Sequence, residues 1–179
     1  RAEGIENLRA VCAAVKVPVI GLIKAYSDAS DVYITPRVED VINLAKAGAS
    51  IVAVDATQRI RWNGQTLEEF FSEVKRNTDV QLMADIDSVE NAKIAAQLGF
   101  DAVATTLNGY TDKPSSGLPN LDLISEIVKH VDIPLIAEGG FANPSEFKQA
   151  LTNGAWSVCV GTAITNPYLL TKQFVGENS

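Results

Sequence analysis

The sequence predicts an α/β protein of the (β/α)8 barrel class, and three observations lead to that prediction. Short apolar segments alternate with segments whose apolar residues recur at helical spacing along almost the whole chain. The short segments are apolar nearly throughout, which is typical of strands covered on both faces in a parallel sheet. Polar residues end one such strand after another, as in a barrel that gathers its site from many strands.

A doubly wound open sheet has the same alternation, but it concentrates its site at one switch point. Here the polar residues follow six successive strands: Lys24, Asp55, Asp85, Thr105 with Thr106, Glu138, and Gly161 with Thr162. We therefore favour the barrel. The chain supplies six full strands and the stub of another at Arg1, so we expect an eight-stranded TIM barrel without roughly its first two β/α units, in a single domain over residues 1–179.

The first half of the chain contains a leading helix and two repeats of strand and helix. Thr35 and Pro36 have the pattern of an N-cap followed by proline at the first helical position. Thr66 and Glu69 have the pattern of a capping box. We expect helices over residues 5–15, 35–47 and 66–76, and strands over residues 19–24 and 51–57.

The second half repeats the unit, and a long loop rich in Gly, Pro and Ser interrupts it at residues 108–119. Gly48, Gly99 and Gly154 each end a helix two residues before a strand, so we expect each to be a helix C-cap. We expect strands over residues 80–86, 102–107, 133–138 and 157–162, and helices over residues 88–98, 120–131 and 143–153.

The composition excludes several classes of function. A formal net charge of −7 without any run of Lys or Arg argues against nucleic-acid binding. No segment approaches the roughly 18 apolar residues that span a bilayer. Cys12 and Cys159 stand alone in apolar surroundings, without metal-type spacing, so we expect free, packed thiols in a reducing, cytoplasmic compartment.

Glu138 is the first candidate for catalysis. It ends an apolar strand and precedes Gly139 and Gly140, so a buried strand delivers a carboxylate to a point where backbone can approach a ligand. The alternative interpretation is a strand-end acid paired with a neighbouring cation.

Seven segments carry a family resemblance over nearly the whole chain. They are Gly-Leu-Ile-Lys at 21–24, Tyr-Ile-Thr-Pro at 33–36, Val-Asp-Ala-Thr at 54–57, Met-Ala-Asp-Ile at 83–86, Thr-Thr-Leu-Asn-Gly-Tyr-Thr at 105–111, Ile-Ala-Glu-Gly at 136–139 and Val-Gly-Thr-Ala-Ile-Thr at 160–165. In this order and at this spacing they resemble the N-acetylmannosamine-6-phosphate 2-epimerase family.

The resemblance implies a (β/α)8 barrel that interconverts N-acetylmannosamine 6-phosphate and N-acetylglucosamine 6-phosphate in sialic-acid catabolism. It implies an isomerase without metal or other cofactor, a sugar-phosphate ligand and a homodimer. By residue, it implies that Lys24 and Glu138 are catalytic and that Arg1 and Asp85 bind substrate. We add Thr105, at a strand end, and Tyr110, on a loop that can close over the sugar, as candidates for substrate binding.

The candidate phosphate site lies after the last two strands, where barrels commonly bind phosphate through backbone N–H groups. Its residues are Gly139, Gly140, Gly161 and Thr162. The family usually carries arginine at the positions of Gly140 and Asn166. We therefore expect weaker phosphate binding than in the family.

The chemistry needs proton removal beside the C1 aldehyde of the opened sugar and proton return to the other face. Desolvation at the apolar end of the barrel disfavours the charged form of a lysine, so Lys24 can accept a proton. Glu138 can transfer a proton on the opposite face of the sugar. Two structural alternatives remain open: Lys24 and Glu138 form one ion pair, or Asp55 and Asp85 bind a metal. Two functional alternatives also remain: another phosphate-binding barrel enzyme with a Lys/Glu pair, or a barrel that binds sugar phosphates without turning them over.

Overall fold

The sheet contains parallel strands that lie in the order in which they follow one another in the chain. The computed structural model describes residues 1–112 and 117–176. Within these ranges the seven strands are β1 Ala2–Glu3, β2 Ile20–Leu22, β3 Ile51–Asp55, β4 Gln81–Asp85, β5 Ala102–Ala104, β6 Leu135–Glu138 and β7 Ser157–Cys159. Strand β1 is the stub predicted at Arg1.

Helices follow the strands in the alternation that the sequence predicts. Their bounds are α1 Ile5–Ala14, α2 Val38–Lys46, α3 Leu67–Asn77, α4 Val89–Leu98, α5 Leu121–Val128, α6 Pro144–Thr152, α7 Thr162–Thr165 and α8 Pro167–Val175. Parallel neighbours joined by helices form the curled sheet of a β/α barrel, with β1 and β7 at its two edges.

The core has two parts because successive strand residues face opposite sides of the sheet. Val52 and Val54 on β3 belong to the larger cluster, which the helices cover. Ala53, between them, belongs to a smaller cluster with Met83 on β4 and Ile136 on β6. This smaller cluster fills the concave side of the sheet, below the strand ends that carry the polar residues.

Several local predictions are confirmed. Gly99, with φ of 96°, is the C-cap of α4 as predicted, whereas Gly48 and Gly154, with φ of 105° and 98°, lie one residue after the C-caps Ala47 and Asn153. Thr66 and Glu69 form a complete capping box at the start of α3. Both cysteines are free thiols. In the ranges described above, no helix is both long and apolar enough to cross a membrane.

Two local predictions are wrong. Helix α2 begins at Val38 with Arg37 as its N-cap, so Thr35 does not cap it. Thr35 instead lies completely buried with φ of +46°, in a backbone region that β-branched residues rarely occupy. Strand β5 ends at Ala104, and Thr105–Leu107 form a 3₁₀ turn that the continuous apolar pattern did not reveal.

Candidate active site

The C-terminal ends of the strands surround a cavity of about 870 Å³. It collects most of the residues predicted from the sequence: Arg1, Lys24, Tyr110, Glu138, Gly139, Gly140, Gly161 and Thr162. Asp85 and Thr105 do not line it; they lie buried behind this surface, 0% and 4% exposed. The parallel register causes this clustering, because it brings all strand ends to one rim.

Arg1 joins the residues on one side of the cavity. Its side chain is 9% exposed, and its Nη2 donates to Oδ2 of Asp85 at 2.6 Å. Its Nη1 donates to Oε2 of Glu138 and, at 2.9 Å, to the hydroxyl of Thr106. Thr106 in turn donates to Oδ1 of Asp85 at 2.8 Å. One guanidinium therefore bridges carboxylates from β4 and β6.

These contacts change the proton affinities of the groups. Burial raises the pKa of Asp85 to about 6; the Arg1 cation opposes this change and the nearby Glu138 carboxylate adds to it. Burial lowers the pKa of Arg1, but Asp85 and Glu138 together raise it above its ordinary value. Arg1 therefore stays charged, and two carboxylates share its single positive charge.

Thr105 holds the backbone of Glu138. The amide N–H of Glu138 donates to the Thr105 hydroxyl at 2.9 Å, and that hydroxyl donates to the Glu138 carbonyl at 2.8 Å. Glu138 is thus fixed at its backbone by Thr105 and at its carboxylate by Arg1. Its side chain is 22% exposed, so it still faces the cavity.

Lys24 follows β2, lines the same cavity and is held differently. Its backbone N–H donates to Oε1 of Glu3 at 3.3 Å. Its side chain is exposed, and no side chain within residues 1–112 and 117–176 forms an ion pair with its amine. The ion pair that we weighed between Lys24 and Glu138 is absent, since Glu138 pairs with Arg1.

The candidate phosphate end contains two consecutive glycines in left-handed conformations, Gly139 with φ of 109° and Gly140 with φ of 73°. A Cβ on Gly140 would lie 2.4 Å from the Cβ of Leu118. The turn therefore has no room for a side chain at position 140. Asn166 stands at the second position where the family usually carries arginine. Its side chain caps α8 by accepting a hydrogen bond from the Leu169 N–H at 3.2 Å.

A buried polar network anchors the loop that carries Tyr110. The side-chain amide of Asn108 donates to the carbonyl of Asp87 at 2.8 Å, and the Thr111 hydroxyl donates to its carboxylate at 2.8 Å. Asn120, at the far end of the loop, donates to the side chain of Asn108 at 3.0 Å. The start of the loop is thus tied to Asp87, two residues after the end of β4. The middle of the loop, residues 113–116, lies outside the described residues.

The metal alternative finds no support in the described ranges, which contain no group of three His, Cys, Asp or Glu side chains arranged for a metal ion. Asp85 is engaged by Arg1, and Asp55 is engaged by Arg59 at 2.5 Å and by the Thr57 hydroxyl at 2.7 Å. Both carboxylates already have cationic or hydroxyl partners.

The sequence predictions gave no binding or catalytic role to five polar residues that line the cavity: Glu3, Tyr33, Thr106, Cys159 and Thr165. Cys159 was expected to be a packed thiol, but it lines the cavity, in register with Glu138. Burial raises the pKa of the Cys159 thiol, and the Glu138 carboxylate adds to this effect. The alternation along β7 was the signal that placed Cys159 on the inner face.

The chain is similar to a family of known proteins over its whole described length. A family model described as "Putative N-acetylmannosamine-6-phosphate epimerase" matches residues 1–178. Relatives named "Putative N-acetylmannosamine-6-phosphate 2-epimerase" include one from Caldanaerobacter subterraneus subsp. tengcongensis, 43% identical over 98% of this chain and 75% of the relative. Another, from Clostridium perfringens, is 41% identical over 97% of this chain and 79% of the relative.

Solved structures agree with these matches. The N-acetylmannosamine-6-phosphate 2-epimerase from Clostridium perfringens superimposes with a TM-score of 0.91 at 39% identity, covering 98% of this chain and 77% of that one. FabK from Thermotoga maritima, at 19% identity and a TM-score of 0.60, covers 89% of this chain and 47% of that one, and shares the fold alone.

Proposed function

We propose, because this chain belongs to the N-acetylmannosamine-6-phosphate epimerase family, that it interconverts N-acetylmannosamine 6-phosphate and N-acetylglucosamine 6-phosphate at C2 of the sugar. Within the molecule, the proposal rests on the finding that Lys24, just after β2, and Glu138, on β6, line one cavity and belong to strands four places apart in the sheet. An epimerase needs proton transfer on both faces of the reacting carbon.

In the proposed reaction the sugar ring opens, and one of the two groups removes the C2 proton beside the C1 aldehyde. The electron pair of the C–H bond forms a C1–C2 double bond, and negative charge moves to the C1 oxygen. A proton then returns to C2 from the opposite face, and the double bond reverts to the aldehyde. We assign proton transfer on the two faces of C2 to Lys24 and Glu138. The two side chains can act separately because Glu138 forms its ion pair with Arg1 and not with Lys24.

Charge near the site supports this chemistry. Arg1 holds one carboxylate oxygen of Glu138 and keeps that side chain directed at the cavity. The cations of Arg1 and Lys24 are the groups that stabilise a developing negative charge on the sugar oxygen. We therefore propose that the reaction proceeds without a metal or other cofactor. Activity that survives exhaustive dialysis against EDTA supports this proposal, whereas activity restored by a divalent cation contradicts it.

We propose that the sugar phosphate binds at Gly139, Gly140, Gly161 and Thr162. These residues line the same cavity after the last two strands, and backbone N–H groups in such turns bind anions. No arginine side chain stands at Gly140 or Asn166. Phosphate binding through backbone alone is expected to be weaker than binding through a bidentate guanidinium.

The deciding experiment is proton NMR of N-acetylglucosamine 6-phosphate in D2O with the protein. We expect deuterium at C2 together with appearance of the manno epimer. Lys24→Ala and Glu138→Gln should each lower the rate by at least about 100-fold. Lys93→Ala and Glu68→Gln, which change exposed residues on α4 and α3, are the matched controls and should leave the rate unchanged.

Two outcomes contradict the proposal in different ways. Tight binding of the sugar phosphate without C2 exchange favours the barrel that only binds, a possibility motivated by the missing arginines. Turnover of pentose phosphates in a substrate panel, without turnover of amino-sugar phosphates, favours a different barrel enzyme.

We also propose a homodimer in the cytoplasm, on the family resemblance and on the free thiols. Exposed apolar side chains on α8, among them Phe174 at 85%, support an association surface. Sedimentation equilibrium should give twice the mass of the chain; a monomer at micromolar concentration contradicts the dimer.

A further inference from the structure

Thr35 stands out among the residues that the proposed reaction does not use. Within the described residues it is the non-glycine residue with a positive φ, 46°, and it is completely buried. A β-branched residue in this conformation is strained. Because its hydroxyl does not cap α2, the strain needs another explanation.

Two hydrogen bonds join Thr35 to the segment just before Lys24. The Thr35 N–H donates to the carbonyl of Ile23 at 2.7 Å. The Ile23 N–H donates to the Thr35 hydroxyl at 3.2 Å. Thr35 therefore binds both backbone polar groups of Ile23, which lies beyond the last paired residue of β2.

The Thr35 hydroxyl also links Ile23, just after β2, to strand β3. It donates to the carbonyl of Ala53 on β3 at 2.7 Å while it accepts from Ile23. A side chain in this position must donate and accept at once, which a hydroxyl can do and a methyl group cannot. Loss of the hydroxyl leaves a buried N–H and a buried carbonyl without this partner.

The neighbouring residues complete the support of Lys24 on its other side. Ile34 forms an antiparallel bridge with Lys24, and the Ala25 N–H donates to the carbonyl of Tyr33 at 3.0 Å. The segment 33–35 thus runs back along residues 23–25. Because no side chain in residues 1–112 and 117–176 pairs with the Lys24 amine, its direction depends on this backbone support.

We propose that Thr35 is a positioning residue for Lys24: its strained backbone places one hydroxyl between Ile23 and Ala53, and this fixes the direction in which Lys24 leaves the sheet. The proposal rests on the proposed role of Lys24 in C2 epimerisation. Thr35 itself does not line the cavity.

The test compares Thr35→Val, which keeps the shape and removes the hydroxyl, with Thr35→Ser, which keeps the hydroxyl. We expect Thr35→Val to lower kcat by roughly 10- to 100-fold with KM within about threefold of wild type. Thr35→Ser should retain kcat within about threefold. Thr66→Val, which removes the cap of α3, controls for general destabilisation and should keep kcat near the wild-type value.

A second measurement does not depend on turnover. Amide hydrogen exchange at Ile23, Lys24 and Ala25 should accelerate in Thr35→Val and not in Thr35→Ser. If the wild-type protein lacks epimerase activity, the proposed function fails, while the exchange data still decide whether Thr35 holds this segment. If Thr35→Val does not fold, Thr35→Gly, which removes the strain together with the hydroxyl, is judged by the same kcat criterion. Wild-type kcat in a folded variant without the hydroxyl overturns the proposal.

Discussion

Glu138 and Lys24 face the same cavity, but the two side chains are held in different ways. Glu138 is fixed at its carboxylate by Arg1 and at its backbone by Thr105. Lys24 has a supported backbone and an exposed amine with no side-chain partner in the described ranges. Glu138 is thus tied into ionic contacts, whereas the Lys24 amine has none in the described ranges. We expect the first arrangement to contribute to stability and the second to leave Lys24 available for the proposed chemistry. The following predictions test this contrast, ranked by their effect on the free energy of unfolding.

The largest effect is expected for Arg1→Met. The substitution leaves the buried carboxylate of Asp85 and the half-buried carboxylate of Glu138 facing each other without the cation between them. Removing one partner of a buried ion pair costs roughly 3–5 kcal/mol. Urea denaturation measures the loss, with Arg9→Met on the exposed surface of α1 as the matched control. Equal midpoints for the two variants would show that the Arg1 network does not stabilise the fold.

The second effect is a pH dependence that Asp85→Asn should remove. Burial raises the pKa of Asp85 from 3.8 to about 6, so between these values the native protein holds a proton that the unfolded chain has lost. This group therefore makes stability fall as pH rises through that window and adds no further change above pH ~6, a difference on the order of 3 kcal/mol. The unfolding free energy of wild type minus that of Asp85→Asn should decrease from pH ~4 to pH ~6. A constant difference contradicts the raised pKa.

The third effect concerns the turn after Glu138. Gly140→Ala should destabilise the protein by roughly 2 kcal/mol, because the new Cβ meets Leu118 at 2.4 Å and the backbone has φ of +73°. Leu118→Gly should recover part of this loss in the double variant. An arginine introduced at position 140 would therefore also destabilise the turn. For this reason it would not simply strengthen phosphate binding, as the family pattern indicates. A double-mutant cycle with no coupling would show that Leu118 does not restrict this turn.

The smallest effect on stability is expected for Lys24→Met. Because the amine is exposed and forms no ion pair with any side chain that the structure describes, the free energy of unfolding should change by less than about 0.5 kcal/mol. Turnover, in contrast, should be lost if Lys24 transfers a proton. A stability loss comparable to that of Arg1→Met would remove the contrast between the two sides of the cavity.

Local patterns predicted the repeating elements and the strand-end residues well. The glycines after the helices and the capping box at Thr66 depend on a few neighbouring residues, so the sequence carries the whole signal. Thr35 shows the limit of such patterns. Its sequence has the form of an N-cap, but contacts with Ile23 and Ala53 determine its conformation.

By itself the sequence determined the order of strands and helices, the rim on which the polar residues meet, and the family to which the chain belongs. The tertiary structure alone decided which charges pair. Arg1, Asp85 and Glu138 are more than 50 residues apart from one another in the chain and meet because β1, β4 and β6 curl around one cavity. It likewise decided that Leu118 fills the space beside Gly140. These contacts depend on the curvature of the sheet and the path of a long loop, which no local spacing of residues encodes.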